Sequence, residues 1–258
     1  MTRSRWLFGC AVFLGAFLLF LVEPIAAKQL LPVLGGSAAV WITCLVFFQT
    51  ALLCAYLYAH WMSRQPRWIL YFALLIVGFV SALGWCVRGA GWGGGSAHPM
   101  MTVFAVLGST IGLPFLVLGT TSPLMQVWWA RLHGSAIPYR LFALSNLASL
   151  LALGLYPTMI EPRLTLHAQR IAWCCGFAVF ALVTGVLAWT ARATTTKEPL
   201  LETATAKEDI PAAPVQKLLW VLLPVGAAMQ LSAVTSYLTA NVAAIPLLWI
   251  LPLAVYLL

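Results

Sequence analysis

Long apolar runs alternate with short polar breaks along the whole chain, and the apolar stretches are of membrane-crossing length. A helix that crosses the hydrocarbon core needs about 20 mostly apolar residues. By that measure the pattern predicts eight spans, at 6–31, 38–61, 68–87, 101–127, 139–160, 171–189, 218–237 and 242–258. Trp6, Trp61, Trp68, Trp128, Trp129, Trp189 and Trp220 fall near the ends of these runs, where indole rings prefer the headgroup layer. In hydrocarbon every backbone N–H and C=O must be satisfied internally, so the expected fold is all-α, a polytopic bundle of transmembrane helices. The last run stops at LPLAVYLL without a polar flank or basic anchor, and the expectation is a second helical block that is incomplete as it stands.

Composition strengthens this picture. The chain is 62% hydrophobic and 8% charged, whereas a soluble domain carries about 25% charged residues. The net charge of +8 comes from basic residues scattered among the breaks, so it reads as a topology signal and a nucleic-acid partner is not expected. With the N-terminus inside, Arg3, Arg5, Arg64, Arg67, Arg131, Arg140, Arg192, Lys197, Lys207 and Lys217 face the cytoplasm, against Lys28, Arg88, Arg163 and Arg170 outside. That asymmetry predicts an N-in multi-pass protein of the inner (plasma) membrane, with the lipid bilayer as its first partner. The alternative for the first run is a signal peptide with Arg3 and Arg5 as its basic region and Ala27 at its cleavage site.

Residues 190–217 hold four of the six acids and three prolines. They read as a cytoplasmic linker between a six-helix block at 1–189 and the start of a second block at 218–258. Two six-helix halves around a midplane site are the layout of major-facilitator-type transporters.

Ionisable residues inside a membrane mark candidate sites, because a charge at the helix centre costs at least about 2.5 kcal/mol. Two acids qualify, Glu23 in LVEPIAAK and Glu161 in TMIEPRL, and each precedes a proline, Pro24 or Pro162. Proline withholds an N–H from the preceding turn and can expose backbone groups to a ligand. The functional reading makes Glu23 and Lys28 a charge pair lining an outward-facing cavity. In the bland reading proline closes each helix and Lys28 or Arg163 simply pairs with the acids.

Other polar features are weighed in the same way. Gly35 and Gly36 in LGGSAAVW suit a tight turn or close helix approach better than phosphate binding, since no Lys-Ser or Lys-Thr follows. Pro114 and Pro123 frame GLPFLVLGTTSPLMQ, a kinked helix in which the hydroxyls of Thr120, Thr121 and Ser122 are expected to satisfy freed backbone groups, with substrate contact the lesser alternative. Ser145, Asn146 and Ser149 lie within about one turn, and interhelical hydrogen bonding is their default role, with substrate contact by Asn146 the sharper alternative. Tyr237 and Asn241, with Thr235 and Thr239, form a further polar cluster expected on the same side as Glu23. The cysteines lack C-x-x-C spacing, and His60, His98, His133 and His167 lack a second ligand at metal spacing, so no metal or cofactor is implied.

The segments LFLVEPIAAKQLLPVLGGSAAVWITCLVFFQTALLCAYLYAH, LFALSNLASLLALGLYPTMIEP and TSYLTANVAAIPLLWILPLAVYLL, in that order, resemble the N-terminal membrane region of fused major-facilitator and spermidine-synthase-like proteins of bacteria. The resemblance implies further helices and then a soluble aminopropyltransferase-like domain. That family commonly has Gln-Pro at Glu23-Pro24 and an Asp at Asn241. No glycine-rich nucleotide motif with a following acid occurs in this chain, so the synthase-like domain is missing from it and catalysis is not expected.

The resulting expectation is a transporter-like module for a small solute, with cations among the candidates, in which Glu23, Lys28, Asn146, Glu161, Tyr237 and Asn241 form the substrate site. The rival is a non-transporting anchor or assembly subunit that partners other membrane subunits or a synthase-like domain. A membrane-embedded enzyme has no convergent nucleophile, base and metal set behind it.

Overall fold

The computed structural model describes residues 2–34, 38–88, 99–133, 139–195 and 214–241. Helices there are α1 (Thr2–Leu34), α2 (Ala38–Arg64), α3 (Trp68–Arg88), α4 (Pro99–Leu107), α5 (Leu113–Gly119), α6 (Thr121–His133), α7 (Tyr139–Leu155), α8 (Glu161–Arg163), α9 (Leu166–Thr195) and α10 (Pro214–Asn241). Two wider π-helical turns, Gly108–Gly112 and Tyr156–Ile160, join α4 to α5 and α7 to α8. No strand occurs among the described residues. Gly35, Gly36, His98, the middle of the expected linker and the expected span at 242–258 lie outside them.

Among the described residues six segments are long and apolar enough to cross a membrane: Arg5–Leu30, Ala39–Arg64, Trp68–Val87, Met100–His133, Arg140–Arg163 and Leu166–Ala193. They are numbered 1 to 6 below. Segment 1 is the hub: 67% of its apolar window is buried, against 28 to 44% for the others. Segment 1 packs on segments 5 and 6, while segment 4 packs on 2 and 3; segment 3 also meets 6, and 1 meets 4. Exchanging 1 with 4, 2 with 5 and 3 with 6 maps these main contacts onto themselves, whereas the smaller contacts of segment 4 with 6 and of segment 1 with 2 have no counterpart of similar extent among the described residues.

Contacts at the two ends establish that the segments alternate in direction. At one end Phe8 packs on Trp129, Trp68 and Tyr71 on Trp128, and Phe72 on Trp189, with ring centroids 5.1 to 6.4 Å apart. Arg131 Nη2 there donates to Ser63 O at 2.8 Å. At the other end Trp85 Nε1 donates to Gln29 Oε1 at 2.8 Å and its ring meets Trp173 edge-on. The buried side chains follow suit and form two clusters. The first runs from Leu18 through Trp85, Phe115 and Trp173; the second gathers Phe8, Val12, Leu124, Trp128 and Leu187. Lipid tails are as apolar as these side chains, so close packing and hydrogen bonds, more than the hydrophobic effect, select this arrangement. The buried Trp173 indole supplies one such bond, Nε1 to Leu18 O at 2.9 Å, which ties α9 to α1.

The prolines act differently at each position. Pro114 has no N–H to offer Thr110 O, four residues earlier, and Ser81 Oγ from α3 donates to that carbonyl at 3.1 Å. The kink expected around Pro114 therefore takes the form of a π-helical turn with a cross-helix hydrogen bond. Thr120 Oγ1 donates to Val117 O at 2.7 Å and Thr121 Oγ1 to the same carbonyl at 3.4 Å, which is not one of the carbonyls that Pro114 or Pro123 deprives of an N–H, so the role expected of those hydroxyls is not the one they take. Pro24, by contrast, is carried inside an uninterrupted α1, without the break expected at Glu23-Pro24. At Glu161-Pro162 the chain does leave the helix, with Leu164 extended at φ −114° and ψ 133°.

Candidate functional site

An open cavity of about 580 Å³ lies among segments 1, 2, 4 and 5. Segment 1 lines it with Val12, Gly15, Ala16, Leu19 and Phe20, positions three and four apart that form one stripe of α1. Segment 2 adds Leu52 and Tyr56; segment 4 adds Leu118, Gly119, Thr121, Ser122, Pro123 and Gln126; segment 5 adds Phe142, Ser145, Asn146 and Ser149. Segments 3 and 6 contribute no described lining residue. The cavity thus sits where the exchangeable pairs 1/4 and 2/5 converge.

Its walls are mostly apolar, with a few polar groups gathered on segments 4 and 5. Ser149 Oγ is used within its own helix, donating to Ser145 O at 3.0 Å, so the interhelical bond expected of it is not the one it makes. Thr121 is likewise engaged with Val117 O. Among the described residues, the Gln126 and Asn146 carboxamides and the Ser122 and Ser145 hydroxyls have no hydrogen-bond partner. Pro24 and Pro123 also withhold the N–H groups that would bond the carbonyls four residues earlier, Phe20 O and Gly119 O, and both of those residues line the cavity. None of the described lining residues carries a charge.

The charged residues expected at the site form a separate layer. Lys28 Nζ bonds Glu161 Oε1 at 2.7 Å, joining the late part of α1 to the end of segment 5. The expected Glu23–Lys28 pair is not formed. Five residues along a continuous helix turn the two side chains about 140° apart, and without a break at Pro24 they face different neighbours. Glu23 is buried at 8% exposure and no described side chain bonds its carboxyl. It lies one turn beyond Leu19 and Phe20 on the stripe of α1 that lines the cavity, but it is not itself a lining residue. Tyr156 OH donates to Gln169 Oε1 at 3.3 Å and Gln169 Nε2 to Leu164 O at 2.9 Å, which fastens the end of segment 5 to the start of segment 6.

Of the six expected site residues, then, Asn146 lines the cavity, Lys28 and Glu161 pair outside it, and Glu23 is buried beside it. Tyr237 and Asn241 lie elsewhere: Tyr237 is 68% exposed, Asn241 donates to Tyr237 O within α10, and α10 packs on α2. Ser122, for which substrate contact was the lesser alternative, does line the cavity, whereas Tyr56 and Gln126 were missed as site residues, although Gln126 is an amide inside an apolar run. Among the described residues no group of three or more His, Cys, Asp or Glu side chains could hold a metal ion, and all six cysteines are free. The chain matches no family model, no curated protein and no solved structure.

Proposed function

We propose that the chain is a membrane-embedded, transporter-like module that admits a small solute to the cavity among segments 1, 2, 4 and 5. The observation that carries this reading is that the cavity is lined by segments 1 and 4 and by segments 2 and 5, two pairs that the main helix contacts exchange. Transporters built from inverted three-helix repeats place their substrate site at the repeat interface near the midplane. The resemblance to the membrane region of fused major-facilitator and spermidine-synthase-like proteins supports a transporter-like role; in the major-facilitator layout the midplane site lies between two six-helix halves, and this cavity opens on segments 1, 2, 4 and 5 of one such block. Basic residues concentrate at the end that holds Arg5, Arg64, Arg67, Arg131, Arg140 and Arg192, which supports an N-in protein of the inner membrane. Uptake into proteoliposomes containing the purified chain tests the proposal. A panel of labelled sugars, polyols, amino acids and polyamines should include a solute whose entry exceeds that into protein-free vesicles and is abolished by Ala16→Trp, which fills the cavity. No entry for any member of the panel would sink it.

One observation favours a second reading, a non-transporting anchor or assembly subunit. Leu218, Leu219, Trp220, Val221, Leu222 and Leu223 succeed one another on α10 and are all exposed, so that helix offers apolar surface around its whole circumference to lipid or another membrane subunit. On this reading Glu23→Gln alters assembly or stability and leaves solute flux unchanged.

A further inference from the structure

The chemistry of the cavity wall bears on the charge of what enters it. We propose that the cavity selects an uncharged polyhydroxyl solute, a sugar or polyol, and discriminates against polyamines and other organic cations. This rests on the transporter-like reading for the cavity's role, but the solute class is argued from the wall alone.

Glu23 and Glu161, the two acids in the membrane-length segments that could attract a cation, do not line the cavity. Glu161 is neutralised by Lys28 at 2.7 Å, and Glu23 lies in the next turn of α1, past Leu19 and Phe20. A cation entering the cavity would shed water without meeting a carboxylate among the described lining residues, and unpaired burial of a charge is heavily penalised. An anion would find no Lys, Arg or His there either.

What the wall does provide is a matched set for hydroxyl groups. The carboxamides of Gln126 and Asn146 each present an NH₂ donor and a C=O acceptor, and the Ser122 and Ser145 hydroxyls can do both. None of the four is committed to another described group. A solute hydroxyl also donates and accepts, so it can engage such groups without leaving an orphan on either side. Phe20, Leu52 and Phe142 supply apolar wall for the C–H faces of a sugar or polyol. Mostly apolar lining with a few orienting polar groups is the usual composition of a small-molecule site.

Binding to the full chain in lipid nanodiscs tests the class independently of transport. Glucose, myo-inositol, sorbitol and sucrose would be compared with spermidine and putrescine at matched ionic strength, by the shift in unfolding temperature and by direct titration. At least one neutral probe should bind, and Asn146→Ala and Gln126→Ala should each weaken it by about threefold to tenfold. Asn241→Ala, on α10 and away from the cavity, should leave it unchanged. Gln126→Glu, which keeps the shape and adds a charge, should lose the neutral probe and gain spermidine. Failure of all four neutral probes to bind, or spermidine binding to the unsubstituted chain that Asn146→Ala or Glu23→Gln removes, would overturn the proposal. Neutral binding without vesicle uptake would reject the transport reading and support the solute class. Uptake confined to polyamines would do the reverse.

Discussion

Lys28 and Glu161, separated by 133 residues, meet at 2.7 Å and clamp the late part of the first helix to the end of the fifth membrane-length segment. Each side chain is about one-third exposed, so screening limits the strength of the contact to about 1 kcal/mol. A double-mutant cycle with Lys28→Met and Glu161→Gln should return a coupling of about 0.5 to 1 kcal/mol, with the double variant more stable than the two single losses add up to. Additive losses in unfolding temperature would mean that the pair contributes nothing.

Glu23 should behave in the opposite way. The residue is 8% exposed and its carboxyl has no described partner, so replacing it by the isosteric amide removes an ionisable group from a mostly buried position and breaks no described contact. Glu23→Gln is expected to hold or raise the unfolding temperature, whereas Glu161→Gln lowers it. A loss for Glu23→Gln as large as that for Glu161→Gln would show that the Glu23 carboxyl has a stabilising partner after all.

Close helix contacts make two glycines hard to replace, Gly119 on the cavity wall and Gly78 away from it. A Cβ on Gly119 would stand 2.7 Å from Ala55 Cβ and 3.3 Å from Leu52 Cδ1, and one on Gly78 would stand 2.9 Å from Val117 Cγ2. Gly119→Ala should cost about 1 to 3 kcal/mol and force α2 away from α5. Gly78→Ala should cost less, because the Val117 methyl can yield. Gly84→Ala and Gly154→Ala meet nothing within 4 Å and should stabilise by about 0.5 to 1 kcal/mol, the helix-propensity gain over glycine. Equal effects at all four positions, read by thermal unfolding in detergent, would refute this packing.

Orientation can be read with cysteines. In a chain whose six cysteines are replaced, Thr165→Cys between α8 and α9 and Gln65→Cys between α2 and α3 place exposed thiols at opposite ends of the bundle. An impermeant maleimide applied to intact cells should modify the cysteine at 165 and reach that at 65 only after permeabilisation. The reverse pattern would invert the N-in topology.

Hydropathy alone located the first six apolar segments to within a few residues at most ends, because lipid imposes one requirement on every turn of a spanning helix. The start of α9 came five residues earlier than expected, at Leu166, because Leu166 to Arg170 form a helical turn held by Gln169, in which a mixed sequence masks the start. The site was less legible. Glu23-Pro24 and Glu161-Pro162 are the same dipeptide, yet one is absorbed in a continuous helix and the other precedes its end. The difference lies in the surroundings: α1 is packed on several sides, whereas Pro162 and Arg163 are exposed. Periodicity could place Ser145, Asn146 and Ser149 near one another, but which neighbouring helices they would meet depends on packing between segments distant in sequence. For the same reason Gln126 passed as one polar residue in a kinked helix until segment 4 was set against segments 1 and 5.

The division of the buried side chains into two clusters also has a mechanical side. The cavity-lining stretches 12–20 and 118–126 run from one cluster into the other, with Gly15 and Thr121 between them. A body with two densely packed ends and a hollowed waist is least stiff at the waist, since packed interiors transmit strain and voids do not. The softer side of that junction is the cavity face, because segments 3 and 6 stay packed across it through Tyr71, Leu75, Phe180 and Leu187, and the Lys28–Glu161 pair ties segment 1 to segment 5 at one end.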